Sequence, residues 1–482
     1  MSSTPEPRIG RPLPDRPSRS AGASPDPDRP AIVWFRRDLR LQDNPAWAAA
    51  STAHREVVAL FVLEPELLTA AGPHRRRQLL SHLEALDGSL NALGGGLTVR
   101  SQPAAATIAD LLAHVDASAL YYNADYSAFA RRRDGAVVKR LESEPLDVNV
   151  FHGNVVHEPG TVLTKAGSLS QVFSPFHRRW QDTPMAPWPD PGEARVLVAS
   201  GVVLADLDTD GEPYQPGGEA AAWDRLNEWL EHVDGYPDTR DIPGIEGTSR
   251  LSADLRFGTL GARTVADVVG THSPGRAAFV RQLAWRDWWA HTLAERPDLP
   301  SRALRPDYER IRWRTAPDEL EAWKAGRTGY PLVDAGMRQL AQTGWMHNRV
   351  RMVTASFLVK DLLIDWREGE RHFRRLLVDG DPAQNGGNWQ WAAGTGPDAA
   401  PYFRIFNPTS QSEKFDPDGT YIRRWVPELA ALDDKAIHAP SRLGPLELAA
   451  AGIILGDTYP EPIVDHKVAR ERTLAAYKRA LG

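Results

Sequence analysis

Four stretches of this chain gather side chains that could do chemistry. Residues 246–252 read Glu-Gly-Thr-Ser-Arg-Leu-Ser, which sets the hydroxyls of Thr248, Ser249 and Ser252 and the guanidinium of Arg250 just ahead of a helical pattern. Hydroxyls and backbone N–H groups at a helix start suit a phosphate, although the same residue types also make an ordinary helix cap. Residues 379–391 run from Asp379-Gly380-Asp381 through Asn385 to the paired indoles Trp389 and Trp391. Such a loop can bring backbone and carboxylate against a ligand ring, or it can be a solvated turn. Around 282–289, helical spacing sets Gln282 beside Trp285 and Arg286 with Trp289 a turn further on. An amide beside an indole can hydrogen-bond and stack on an extruded base, and core packing of the same Trp face is the alternative. In residues 345–352, Asn348 and Met352 share a helical face. His347 has no histidine or carboxylate at metal-ligand spacing, so no metal is expected. No P-loop, zincin pair or G-x-S-x-G elbow occurs.

These groups need a scaffold, and the hydrophobic pattern describes one in two parts. The apolar, β-branched runs at 31–35, 57–63, 97–100, 119–123 and 148–151 read as buried strands. Helical patterns at 75–93, 108–115 and 131–141 alternate with them, which predicts an α/β doubly wound parallel sheet covered on both faces. The first strand is not followed by G-x-G-x-x-G, so the common dinucleotide fingerprint is absent. Past a Pro-, Gly- and Asp-rich stretch the pattern becomes almost wholly helical, with amphipathic segments at 275–294, 331–343, 347–364 and 370–377. The expected organisation is a disordered, proline-rich tail at 1–30, an α/β domain at 31–160, a connector at 161–235 and a large all-α domain at 236–475.

Composition bounds the answer further. The chain has 482 residues, 42% hydrophobic and 25% charged, as expected of a globular protein of two or three domains. No apolar run reaches the ~18 to 20 residues of a bilayer span and the N-terminus lacks a signal peptide's apolar core, so a cytoplasmic protein is expected. It contains no cysteine, which eliminates disulfides and thiolate chemistry. Net charge is −6, yet residues 276–375 hold 19 Lys/Arg against 13 Asp/Glu, a local excess of +6. That excess either meets a polyanion or decorates solvated helix faces. Ten of the sixteen tryptophans lie beyond residue 280.

Together the segments resemble the photolyase/cryptochrome family, most closely the bacterial class I cyclobutane pyrimidine dimer photolyases. The likeness rests on VWFRRDLRLQDNPA at 33–46, EGTSRLS at 246–252, AWRDWW at 284–289, and two long runs at 328–373 and 379–419. It implies an antenna-chromophore domain followed by a helical domain enclosing FAD, and light-driven repair of UV-damaged DNA by a monomer. Matched motif by motif, it places Tyr236, Thr248, Ser249, Arg250, Leu251, Ser252, Phe279, Asp379, Gly380 and Asp381 at FAD, Asn385 at the flavin N5, and Arg349 in an ion pair with Asp379. It puts Trp285 and Trp391 around a flipped dimer, Asn348 and Met352 beneath it, and Arg240, Arg286 and Gln411 on DNA. Trp389, Trp366 and Trp313 align with the family's electron relay.

One position departs from the dimer-splitting pattern. Gln282 stands where those enzymes carry a glutamate, and an amide can hydrogen-bond but cannot titrate. Gln there is similar to six-four photolyases and animal cryptochromes, whereas His347-Asn348 and Met352 keep the dimer-enzyme pattern. Cyclobutane dimers are the expected substrate, with a six-four enzyme or a blue-light photosensor as alternatives. Phe129 and Ala130 replace the residues that hold methenyltetrahydrofolate in folate-using relatives. Residues 72–77 and 129–134 are closer to relatives using an 8-hydroxy-deazaflavin, the second chromophore expected here.

Overall fold

A computed structural model describes residues 26–142, 146–185, 187–204, 207, 211–398 and 401–481. The expected tail falls outside the described residues up to position 25. Its last five residues are tied down rather than loose, with Arg29 paired to Asp116 at 2.8 Å and its carbonyl against His54 Nδ1.

Six parallel strands form the sheet among the described residues: β1 (Ala31–Phe35), β2 (Glu56–Val62), β3 (Thr98–Arg100), β4 (Ala119–Asn123), β5 (Asp147–Phe151) and β6 (Arg195–Leu197). The order is β3-β2-β1-β4-β5, with β1 in register from Ala31↔Val57 to Phe35↔Phe61 and β6 pairing the first half of β2. Side chains alternate across the strands. Val33, Phe35, Ala59 and Phe61 enter a core closed by Leu83, Leu86 and Leu90 of the helix Pro73–Ala92. Ile32, Trp34, Val58 and Leu60 enter the opposite core with Ile108, Leu111 and Val137. Burial on both faces explains why these strands read as continuous apolar runs. Strand order reverses between β1 and β4, which makes a crevice at their carboxyl ends.

The two largest cores of the helical part lie around Trp288, Trp289 and Leu283 and around Trp323, Val350 and Trp389. The expected connector is largely built structure. It supplies β6, the helix Phe173–Asp182 and the helix Glu219–Leu230. Phe173, Phe176 and Trp180 make a buried stripe on the first of these, despite Pro175 in its opening turn.

The two parts are locked together by buried charges. Arg37, just after β1, pairs with Asp381 and with Asp125. Buried Asp287 accepts the backbone N–H groups of Val156 and His157 and the indole N–H of Trp180.

Candidate flavin and lesion site

The described residues enclose an open cavity of about 450 Å³ in the helical part. One wall is the helix Pro274–Glu295, whose first turn is capped by the Ser273 hydroxyl accepting from Arg276 N–H. Gln282, Trp285, Arg286 and Trp289 fall at i, i+3, i+4 and i+7, and all four line the cavity. The Trp285 ring is held from behind by Phe173, centroids 3.7 Å apart and planes 12° apart.

The facing wall is the helix Pro382–Ala393, capped by Asp381, which accepts from Ala383 and Gln384 N–H at 2.8 and 3.0 Å. Two glycines let this wall close up. A Cβ on Gly387 would lie 2.3 Å from the Trp289 ring, and one on Gly369 would lie 2.1 Å from Trp389. Asn385 donates its amide to the Glu370 carbonyl (2.9 Å) and carboxylate (3.0 Å), which leaves its own carbonyl oxygen as the group free to accept inside the cavity. Burial pushes the Glu370 carboxyl above the usual range, with Arg374 opposing. Asn348 and Met352 lie one turn apart on the helix Asn348–Ser356, amide to sulfur 3.7 Å, and both line the cavity with Tyr236, Arg240, Thr248 and Trp391.

Electrostatics at the base are fixed by arginine. Arg351 holds Asp379 in a two-pronged pair at 2.8 and 3.1 Å, and both line the cavity. Burial opposes ionisation of Asp381, yet Arg37, Arg256 and Arg286 hold it below the ordinary carboxylate range. Burial lowers His347 to about 4, so its imidazole is neutral and Nδ1 caps the helix by accepting from Arg349 N–H.

One expected pairing is corrected here, and the other expected residues have the following surroundings. Arg349 does not pair with Asp379; it pairs with Asp241 at 2.9 Å and packs over Phe415, and Arg351, one step round the helix, takes Asp379. Arg286 spends its guanidinium on the carbonyls of Asn154 (2.6 Å) and Leu255 (3.0 Å), which makes it a junction brace. Gln411, on the helix Pro408–Phe415, lies outside the cavity lining. Of the hydroxyl segment only Thr248 reaches the cavity. Arg250, at φ +56°, is sandwiched by Glu246, the Tyr214 hydroxyl and the Trp345 ring. Leu251 is core, and the Ser252 hydroxyl is buried with no partner. Phe279 packs edge-on beneath Tyr236 and is not itself on the lining.

Arg351, Gln384 and Asn388 line the cavity without having been foreseen; helical spacing from Asn385 was the signal available for the last two. Gly380 and Asp379 stand on the loop between the cavity and the α/β part, where Gly380's carbonyl accepts from Arg256 and Arg75. Trp389 and Trp366 are buried, whereas Trp313 is half-buried against Tyr477. Many arginines of the basic stretch are internally paired, including Arg314 with Glu319, Arg338 with Glu428 and Arg367 with Glu309. Among the described residues no group of three or more His, Asp or Glu is placed to hold a metal ion, and no helix is long and apolar enough to cross a membrane.

The cavity suits a large planar group with a charged appendage. Its walls are indoles, a carbonyl acceptor is fixed at Asn385, and the buried Trp289 N–H has no protein partner. Comparisons with known proteins agree. The family described as FAD binding domain of DNA photolyase matches residues 279–479, and that described as DNA photolyase matches residues 31–192. A deoxyribodipyrimidine photo-lyase of Agrobacterium fabrum is 41% identical over 473 residues, covering 93% of this chain and 97% of its own. A class III photolyase from Agrobacterium tumefaciens superposes with a TM-score of 0.89 at 39% identity, covering 96% of this chain and 99% of the other. An archaeal photolyase from Sulfolobus tokodaii, solved with two FAD molecules, gives 0.84 at 32% identity, covering 93% and 100%. Fold and cavity define a flavin-binding protein with a doubly wound sheet in its first half. The chain belongs to the DNA photolyase family.

Proposed function

We propose that this protein is a light-driven DNA repair lyase that splits cyclobutane pyrimidine dimers in UV-damaged DNA. The observation that carries the reading is a single cavity holding the Trp285 and Trp391 rings, Asn348 with Met352, and the fixed Asn385 carbonyl. Residues 276–375 supply the positive charge that meets DNA phosphates, with Arg240 standing at the cavity and packed over Tyr236 at 5.0 Å. A dimer already stacks poorly, so extruding it costs roughly a few kcal/mol, and stacking on indole returns about 1 to 3 kcal/mol per base. Gln282 lies a turn from Trp285 with its amide nitrogen donating to the Ala278 carbonyl, so its carbonyl is available to a base edge. Reduced FAD, held there by residues such as Asn385 and Asp379, would supply light-driven electron transfer to and from the dimer. Asn385 would offer its carbonyl to a ring N–H of the bound flavin, the Arg351–Asp379 pair would fix the charge at the cavity base, and buried Trp289 would exclude water from the wall it shares with Trp285. Trp389 on the cavity wall, buried Trp366 and half-buried Trp313 are the residues this reading assigns to an electron relay.

Irradiating the reduced holoprotein with thymine-dimer DNA and following the return of pyrimidine absorbance tests the substrate. Recovery on six-four lesions alone would replace it, and recovery on neither would leave a photosensor.

For the second chromophore the reading favours an 8-hydroxy-deazaflavin in the crevice at the ends of β1 and β4. Arg36 lies between the Trp34 and Tyr122 rings at 4.8 and 4.6 Å, Arg133 lies over Trp34 and Phe129, and Arg36 keeps buried donors without partners. The segment at 72–77 gives this less support, because His74 and Arg75 face the helical half. The absorption spectrum of the native protein separates deazaflavin from methenyltetrahydrofolate. The reading also takes the protein to be a cytoplasmic monomer.

A further inference from the structure

Phe173 belongs to the stretch that reads as connector, yet it touches one wall of the cavity and the loop that leaves the other. Its ring lies flat on the back of Trp285, and it is itself fully buried, with its edge on Trp288 at 5.9 Å. Its backbone opens the helix Phe173–Asp182, whose N-cap residue Val172 offers no side-chain acceptor. The acceptor comes from elsewhere: Asp398 Oδ2 takes the Phe173 N–H at 3.1 Å. Asp398 sits at φ +45° on the loop that leaves the helix bearing Trp391. One residue therefore backs the first aromatic wall and anchors the strand of chain leaving the second.

An indole with one face exposed to a cavity can swing about its two side-chain torsions, and each lost orientation is an entropic cost when a base stacks on it. A ring clamped from behind has already lost them. We propose that Phe173 is a positioning residue for lesion binding, which holds Trp285 in its stacking orientation and, through Asp398, sets the spacing of the two aromatic walls. This rests on the reading of the cavity as the lesion site. Phe173 does not line the cavity and touches no substrate. Its effect must pass through Trp285, which makes it separable from a merely structural role.

The test is a double-mutant cycle in the flavin-loaded protein, read as affinity for thymine-dimer duplex and for undamaged duplex. Phe173→Leu keeps most of the volume and removes the flat stack. It is expected to weaken dimer binding roughly two- to tenfold, the worth of an aromatic pair, with flavin content and the repair rate of bound lesion unchanged. Phe173→Tyr keeps the stack and is expected to restore affinity. In a Trp285→Ala background Phe173→Leu is expected to add no further loss. Asp398→Ala, at an exposed loop position, loses the tie without disturbing the core and is expected to weaken dimer binding in the same direction. Equal loss with and without Trp285, equal loss on undamaged DNA, or unchanged affinity in Phe173→Leu would overturn the proposal. A parent protein that fails to prefer dimer DNA at all would instead overturn the reading of the cavity, a distinguishable result.

Discussion

Replacing Trp285 by Ala probes the cavity most directly. The ring has one face on Phe173 and lines the cavity with the remainder, so it can offer a base a single stacking surface. A single stack is worth about 1 to 3 kcal/mol, and at about 1.4 kcal/mol per decade that weakens dimer-DNA binding by roughly five- to 150-fold. No phosphate contact is removed, so the slope of affinity against salt should stay that of the parent. Flavin content should also be retained, because Asn385, Asp379 and Arg351 are untouched. Fluorescence anisotropy with labelled dimer and undamaged duplexes at several salt concentrations measures affinity and slope together, and flavin absorbance measures loading. Unchanged dimer affinity, equal loss on undamaged DNA, or loss of flavin would each refute the assignment.

Three further outcomes follow from the geometry. Arg351→Ala leaves Asp379 nearly buried without its partner and should cost roughly 3 to 5 kcal/mol, whereas Arg349→Ala, opposite the more exposed Asp241, should cost under about 1 kcal/mol; thermal unfolding of both separates the two pairings. His347 is lowered by burial from 6.5 to about 4, so the unfolded chain binds its proton first and the associated stability is full above pH ~6.5 and lost as pH falls toward 4. His347→Asn keeps a capping side chain and should remove about 3 kcal/mol of that acid sensitivity, read from melting curves across the interval. Gly387→Ala drives a methyl into the Trp289 ring and should destabilise the protein by about 1 to 3 kcal/mol, with loss of bound flavin measured by absorbance.

Much of the scaffold was legible because burial wrote it into the residues. The run Ala119–Asn123 and the helix Pro331–Thr343 stand where periodicity puts them, since the first is buried on every side chain and the second ends at Gly344 in the left-handed region. The strand β6 escaped notice because three residues among prolines and glycines carry no period. Phe173–Asp182 was hidden by Pro175, although its spacing of Phe173, Phe176 and Trp180 is a helical stripe. At the site, the family resemblance put Trp285, Asn348, Met352, Asn385 and Trp391 together, whereas pairings did not follow. Arg349 and Arg351 lie two apart on one helix, hence on different faces, and only their surroundings decide which meets Asp379. Nor does residue type announce that Arg286 donates to the carbonyls of Asn154 and Leu255.

Asp287 sits next to Arg286 on the Trp285 helix and grips the backbone at Val156 and His157, while Arg37 reaches across to Asp381. Neither half can loosen without stranding a buried charge belonging to the other. Heat should therefore find a single melting event shared by sheet and helices, and a fragment cut after β5 would leave Arg37 without Asp381 and the strand β6 missing from its edge.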